Sequence, residues 1–216
     1  MLKGLLFDMD GVVVDNANLH VQAFDIYLQQ FGSDKHFTPD LFGRRNENIF
    51  EALIPEVVKE LGWQRLSAEK EAIYRNIARR ELVPMTGLMD LLTEAKRTGI
   101  GCGIGSSACR DNVEFIIDVC NIGNLIGAWC CEDDVTVGKP NPEVYIKTAA
   151  RLGLKAEDCI VFEDATSGIE AGKRAGCKVV ALTTSSPREM LEQCAPDLII
   201  DDFTQITLDD LHRLFE

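Results

Sequence analysis

The sequence predicts an α/β protein whose parallel-sheet core is interrupted, after its first strand, by a small all-helical insertion. Two patterns carry this expectation. Short apolar runs are each followed by a polar or glycine-containing turn and then a helical pattern, which is the alternation of βα units and a parallel sheet. The interval from residue 15 to residue 83 breaks that alternation, since it holds amphipathic helical patterns and no strand pattern.

Taken in order, Gly4–Phe7 is the first apolar run. Val21, Phe24, Leu28 and Phe31 then form a helical stripe that Gly32 closes. A second helical pattern covers Ile49–Leu61, where Pro55 forces a break. A third runs over Ser67–Leu82, with Ser67 as the N-cap and Glu69 and Glu71 suited to the positive end of the dipole. Pro84 to Gly87 returns the chain to the core, where the strands expected are Ile100–Ile104, Ala128–Cys131, Cys159–Phe162, Val179–Leu182 and Leu198–Ile200. Between them Val113, Ile116, Ile117 and Cys120 lie along one helix face. The division expected is residues 1–14 with 84–216 as the core and residues 15–83 as the insertion.

Composition bounds the partners. The chain has 35 acidic against 22 basic residues and a net charge of −13, so neither nucleic acid nor an anionic membrane is an expected partner. An anionic small molecule would need a local cluster of positive charge. The eight cysteines (102, 109, 120, 130, 131, 159, 177 and 194) sit mostly in or beside apolar runs and lack zinc or redox spacing. They are expected as buried, reduced thiols of a soluble cytoplasmic protein, a monomer or weak homodimer.

In an open parallel sheet the ligand lies beyond the carboxyl ends of the strands, so the residues just after each apolar run are the ones to inspect. Four strand ends are chemically loaded: Asp8 and Asp10, then Ser106 and Ser107, then Lys139 after a longer loop, then Glu163 and Asp164. Several carboxylates at one sheet edge repel unless a cation joins them. Mg²⁺ suits an oxygen-rich set, and the ligands expected are Asp8, the backbone carbonyl of Asp10 and Asp164, with Glu163 a further candidate. Asp8 then serves as a covalent nucleophile toward phosphorus, Ser106 with Ser107 and Lys139 hold the phosphoryl oxygens, and Asp10, two residues on, acts as general acid and base. Gly11 lets the backbone turn sharply there. Taken singly these signals are weak, because Asp-x-Asp-Gly is commonly a turn and Gly-Lys-Pro a solvated loop. Their joint occurrence in this order is the informative feature.

That ordered set resembles the haloacid dehalogenase superfamily, in its phosphatase and β-phosphoglucomutase-like branch. The resemblance rests on Phe7-Asp8-Met9-Asp10-Gly11-Val12, Ile104-Gly105-Ser106-Ser107, Gly138-Lys139-Pro140-Asn141-Pro142-Glu143 and the run from Phe162 to Gly172. It implies a Rossmann-like core with a helical cap that selects the substrate, a cis peptide between Lys139 and Pro140, and Asn16, His20, Gly43, Arg44, Arg45 and Asn46 as cap-side or hinge residues facing the substrate. Mutase relatives also place a cap lysine near the position of Arg75. The function expected is a Mg²⁺-dependent phosphatase acting on a small phosphorylated metabolite. A hexose-phosphate mutase using the same aspartyl-phosphate is the alternative, and a catalytically silent binder of a phospho-ligand is a third reading. Dehalogenation itself is not expected, because that branch resembles a single-aspartate, metal-free site.

Overall fold

The computed structural model describes residues 1–38, 41 and 46–216, and it separates into two compact units, Met1–Asp15 with Val83–Glu216, and Asn16–Leu82. The first unit is built on six strands: β1 Gly4–Phe7, β2 Gly101–Gly105, β3 Ala128–Cys130, β4 Cys159–Glu163, β5 Lys178–Leu182 and β6 Leu198–Ile200. They form one parallel sheet in the order β3-β2-β1-β4-β5-β6. Every residue of β1 and of β4 is buried, which is why these runs read as continuously apolar rather than alternating. Strand order reverses on either side of β1, and this places the ligand-binding crevice of such a sheet at the ends of β1 and β4.

Five strand limits differ from expectation by one residue, both ends of β2, the ends of β3 and β4 and the start of β5, and two of these have plain local reasons. Ile100 gives its amide to Ala95 O at 2.9 Å, so it closes the preceding helix instead of starting β2. Cys131 gives its amide to Asp134 Oδ2 at 3.0 Å and leaves the ladder one residue early.

The second unit holds α1 Ala17–Gln29, α2 Asn46–Leu53, α3 Pro55–Leu61 and α4 Trp63–Ala78. Pro55 takes the first position of α3, where its missing N–H costs nothing, and so divides the expected Ile49–Leu61 helix. The α1 stripe is rotated from the expected one: Leu19, Ala23, Phe24, Tyr27 and Leu28 are buried, while Val21 and Phe31 are partly covered. The α4 helix starts four residues before Ser67, which is therefore not its N-cap; the Ser67 hydroxyl instead accepts the Asn46 side-chain amide at 2.7 Å. Phe24, Tyr27, Phe37, Ile49, Phe50 and Leu66 close this unit's own core.

The first unit continues with α5 Leu88–Thr98, α6 Arg110–Val119, α7 Glu143–Arg151, α8 Thr166–Arg174, α9 Arg188–Gln193 and α10 Leu208–Arg213. Leu6, Val161 and Val179 pack with Tyr145, Ala149, Ile169 and Leu191 in one core cluster. Phe7 and Phe162 stack at 4.9 Å, and Phe203 meets both rings edge-on. All eight cysteines are free thiols. Burial pushes Cys102, Cys159 and Cys177 up to about 12 and Cys120 and Cys131 to about 11, so these are inert apolar side chains. Among the described residues no helix is long and apolar enough to cross a membrane.

Candidate active site

The register Phe7↔Ile104 and Phe7↔Phe162 brings the ends of β1, β2 and β4 to one edge of the sheet. Asp8 follows β1 directly, is 8% exposed, and gives its amide to Phe162 O at 2.9 Å. One carboxylate oxygen from each of Asp8, Glu163 and Asp164 falls within 4.8 Å of the others, all three residues being buried. Lys139 reaches this group from its loop, donating to Asp8 Oδ1 and, at 2.7 Å, to Glu163 Oε1. The Lys139–Pro140 peptide is cis, as the resemblance implied. Ser106, 1% exposed just beyond β2, is held by its amide to Cys130 O at 2.9 Å and accepts the Ala108 amide on Oγ at 3.0 Å; Ser107 is exposed.

Glu163 differs from the other two carboxylates because protein donors already occupy both of its oxygens. Oε1 accepts from Lys139 and from the Tyr145 hydroxyl at 2.7 Å, and Oε2 accepts the amides of Asp164 at 3.0 Å and Ala165 at 3.2 Å. Its geometry is that of an anchor for Lys139. Tyr145, on the inner face of α7, was not visible as a site residue in the sequence; the signal available was a buried phenol on a core-facing row, which needs a polar partner.

Burial pushes the Asp8 carboxyl well above its ordinary range, and Glu163, Asp164 and Asp10 add to the rise against the pull of Lys139. Burial and then Glu163 push Asp164 up to about 7, while hydrogen bonding from Ser185 and the charge of Lys139 oppose this. Burial disfavours the Lys139 ammonium, but Asp8 and Glu163 outweigh it and hold the pKa above normal. With all three carboxylates ionised against one ammonium the buried cluster would carry two uncompensated negative charges, so the set is one that could hold a divalent cation. The oxygen-only donor set suits a hard ion such as Mg²⁺. Asp10 is half-buried one turn past Asp8, and its charge acts on both Asp8 and Asp164.

Two glycines make this packing possible. Gly11 has φ +82°, and a Cβ there would run into Asp164 Oδ2 and lie 2.9 Å from Ser185 Oγ. At Gly168, in the first turn of α8, a Cβ would coincide with the Glu163 carboxylate. Gly168→Ala is therefore expected to shift Glu163, and Lys139 with it, lowering turnover about 100-fold and stability by about 1–3 kcal/mol. Steady-state kinetics equal to the parent would exclude this account.

In the second unit the structure assembles a buried polar chain. Asn16 donates to Tyr74 Oη at 2.6 Å and lies 3.5 Å from His20 Nε2; His20 stacks on Tyr74 at 3.9 Å; Lys70 Nζ sits 3.2 Å from His20 Nδ1 and donates to Glu71 Oε1 at 2.6 Å. The Asn46 amide donates to both Ser67 Oγ and, at 2.8 Å, Glu71 Oε1, so both its N–H groups are directed to protein acceptors. Lys70, 1% exposed, is a buried lysine of the helical unit and lies five residues before Arg75. Gly43, Arg44 and Arg45 lie outside the described residues.

Fold and cluster together define an α/β protein with a buried acidic cluster at the switch point of its sheet. A family model described as haloacid dehalogenase-like hydrolase matches residues 5–182. Validoxylamine A 7'-phosphate phosphatase of Streptomyces hygroscopicus subsp. limoneus is 30% identical over 210 residues, covering 95% of this chain and 96% of its own length. The β-phosphoglucomutase of Bacillus subtilis (strain 168) is 26% identical over 226 residues, covering 100% of this chain and 96% of its own. The crystal structure of a HAD hydrolase, family IA, variant 3, from Entamoeba histolytica HM-1:IMSS superposes with a TM-score of 0.89 at 24% identity over 99% of both chains, a likeness of fold. The chain belongs to the haloacid dehalogenase-like hydrolases, an enzyme family whose members similar to it include a phosphatase and a phosphoglucomutase.

Proposed function

We propose that the protein is a Mg²⁺-dependent phosphatase of a small, sugar-phosphate-like metabolite, acting through an aspartyl-phosphate on Asp8. The observation that carries this reading is the buried cluster of Asp8, Asp164, Glu163 and Lys139, with its two uncompensated negative charges. Asp8, the Asp10 carbonyl and Asp164 hold the cation, which when bound neutralises the cluster and orients the phosphoryl oxygens. The Lys139 ammonium and the Ser106 hydroxyl bind two of those oxygens. An Asp8 carboxylate oxygen attacks phosphorus, the ester P–O bond breaks, and Asp10 protonates the departing oxygen. Asp10 then takes a proton from water, whose oxygen attacks the same phosphorus and releases inorganic phosphate with Asp8 restored. Glu163 and Tyr145 keep Lys139 in place throughout. Substrate choice is assigned to the helical unit, and the free thiols support a reducing, cytoplasmic setting.

A mutase reading is favoured by one observation, the buried Lys70 ammonium beside His20, a cap lysine of the kind the mutase branch carries. The test is a panel of phosphorylated metabolites assayed with Mg²⁺ and with EDTA. Phosphate release should fall by more than about 100-fold in EDTA, since a bound metal supplies several kcal/mol of charge stabilisation. Isomerised hexose phosphate appearing faster than free phosphate would move the assignment to the mutase, and EDTA-resistant hydrolysis would overturn the metal reading.

A further inference from the structure

Lys139 reaches the carboxylate cluster from a loop that leaves β3 at Cys131, and one row of α7 holds that loop along its length. Glu143, Lys147 and Arg151 stand four residues apart on the helix and so project from one face. Arg151 holds the two Asp134 carboxylate oxygens at 2.7 and 3.2 Å, and Lys147 donates to the Asp134 carbonyl at 2.7 Å. Glu143 accepts two successive backbone amides on Oε2, from Thr136 at 2.9 Å and Val137 at 3.2 Å, while Lys147 pairs with its Oε1 at 2.6 Å. Those amides belong to the residues three and two positions ahead of Lys139. Two residues further along α7, Tyr145 meets the other end of the lysine: its hydroxyl donates to Glu163 Oε1 at 2.7 Å, and its ring centre lies 4.8 Å from Lys139 Nζ.

We propose that Glu143 is a positioning residue for Lys139: its carboxylate, by accepting the Thr136 and Val137 amides, fixes the backbone of the lysine-bearing loop so that the ammonium reaches Asp8 and Glu163. The task given to Lys139 rests on the phosphatase reading above; the anchoring of its loop does not. A carboxylate suits the purpose, because hydrogen bonds from backbone N–H groups to an ionised acceptor are roughly twice as strong as neutral ones. Lys147, with the Val137 and Thr136 amides, holds the Glu143 carboxyl below its ordinary range, so the side chain is ionised at neutral pH. It is 22% exposed, and truncating it empties no part of the core. The consequence lies at the far end of the loop, where misplacing a phosphoryl-binding ammonium by about 1 Å costs about 100-fold in rate.

The experiment follows the acylation of Lys139 by acetic anhydride in the whole protein, read by peptide mass spectrometry, alongside Mg²⁺-dependent phosphate release from the metabolite panel. In the parent the Lys139 side chain is 8% exposed and paired with two carboxylates, so it should react slowly. Glu143→Ala is expected to acylate Lys139 about tenfold faster, through local opening of the loop, and to lower kcat/KM about 100-fold. Lys96 and Lys178, whose partners are Asn124 and Asp197, should react as in the parent. Glu143→Gln, whose amide oxygen still accepts from both backbone amides, should stay within about threefold of the parent in both measurements. Parent-like acylation of Lys139 in Glu143→Ala overturns the role of Glu143, as does faster acylation of Lys96 and Lys178 to the same degree, the mark of general unfolding. Selective exposure of Lys139 with unchanged kcat/KM overturns it too. Selective exposure of Lys139, when the parent itself releases no phosphate from any member of the panel, upholds the anchoring and overturns the phosphatase reading instead.

Discussion

Asp8→Asn abolishes turnover while leaving the fold intact, with a loss of at least about 10⁴-fold, or about 5.5 kcal/mol of barrier. The amide cannot act as a carboxylate nucleophile, and the two carboxylates clustered with Asp8 are otherwise engaged: Glu163 has both oxygens held by protein donors, and Asp164 packs against Gly11. Stability moves in the opposite direction. Burial and three neighbouring carboxylates raise the folded-state pKa of Asp8 above its ordinary 3.8, so the stability it contributes is present below 3.8 and lost as the pH rises through the folded value. In EDTA this buried carboxyl is thus increasingly a net cost as the pH rises, which the Asn variant removes, and Lys139 keeps Glu163 as its partner. Thermal melts should show the variant at or above the parent Tm, and single-turnover assays should show no phosphorylated protein. Substantial Mg²⁺-dependent turnover in Asp8→Asn would sink the nucleophile assignment.

The sheet was legible because β1 and β4 are buried on both faces, which gives unbroken apolar runs, and because the rule placing ligands at strand ends then points to Asp8, Ser106 and Asp164 without further information. Several features of the centre were not legible. Tyr145 arrives from α7, and only the three-dimensional packing brings its hydroxyl to Glu163 at the end of β4. Glu163 reads from sequence as a candidate ligand and lies in the buried carboxylate cluster, but its four protein donors, Lys139 among them, are not legible there. In α4 the error was of another kind. Leu66, Lys70, Tyr74 and Ala78 are buried in one i, i+4 row, so the inward stripe contains a lysine, whereas periodicity assigns charged residues to solvent. The role of Ser67 was hidden separately, because nothing in the sequence pairs it with Asn46.

That inward lysine sets the second large effect, on stability. Glu71→Ala is expected to destabilise the protein by about 3–5 kcal/mol, since breaking one side of a buried ion pair leaves an uncompensated charge. Lys70 is 1% exposed and Glu71 7%, they meet at 2.6 Å, and Asn46 adds a second donor to the same Glu71 oxygen. Burial works against the Glu71 charge, but Lys70, His20 and Asn46 together lower its pKa from 4.5 to about 2. For a carboxylate with a lowered folded-state pKa this stability is fully present above 4.5 and disappears as the pH falls through about 2. Urea denaturation followed by circular dichroism should therefore give the parent a midpoint that declines below pH 4.5, with Glu71→Ala low at neutral pH and flatter across that window. The double variant Lys70→Met, Glu71→Leu removes both charges from the same space and should recover most of the loss, because a well-packed apolar pair replaces a buried ion pair at little or no cost. Recovery of stability without recovery of turnover would show that the chain keeps a charge pair in the helical unit for substrate handling and not for folding; a Glu71→Ala variant within about 1 kcal/mol of the parent would show that the pair is not the buried, mutually dependent one that its geometry describes.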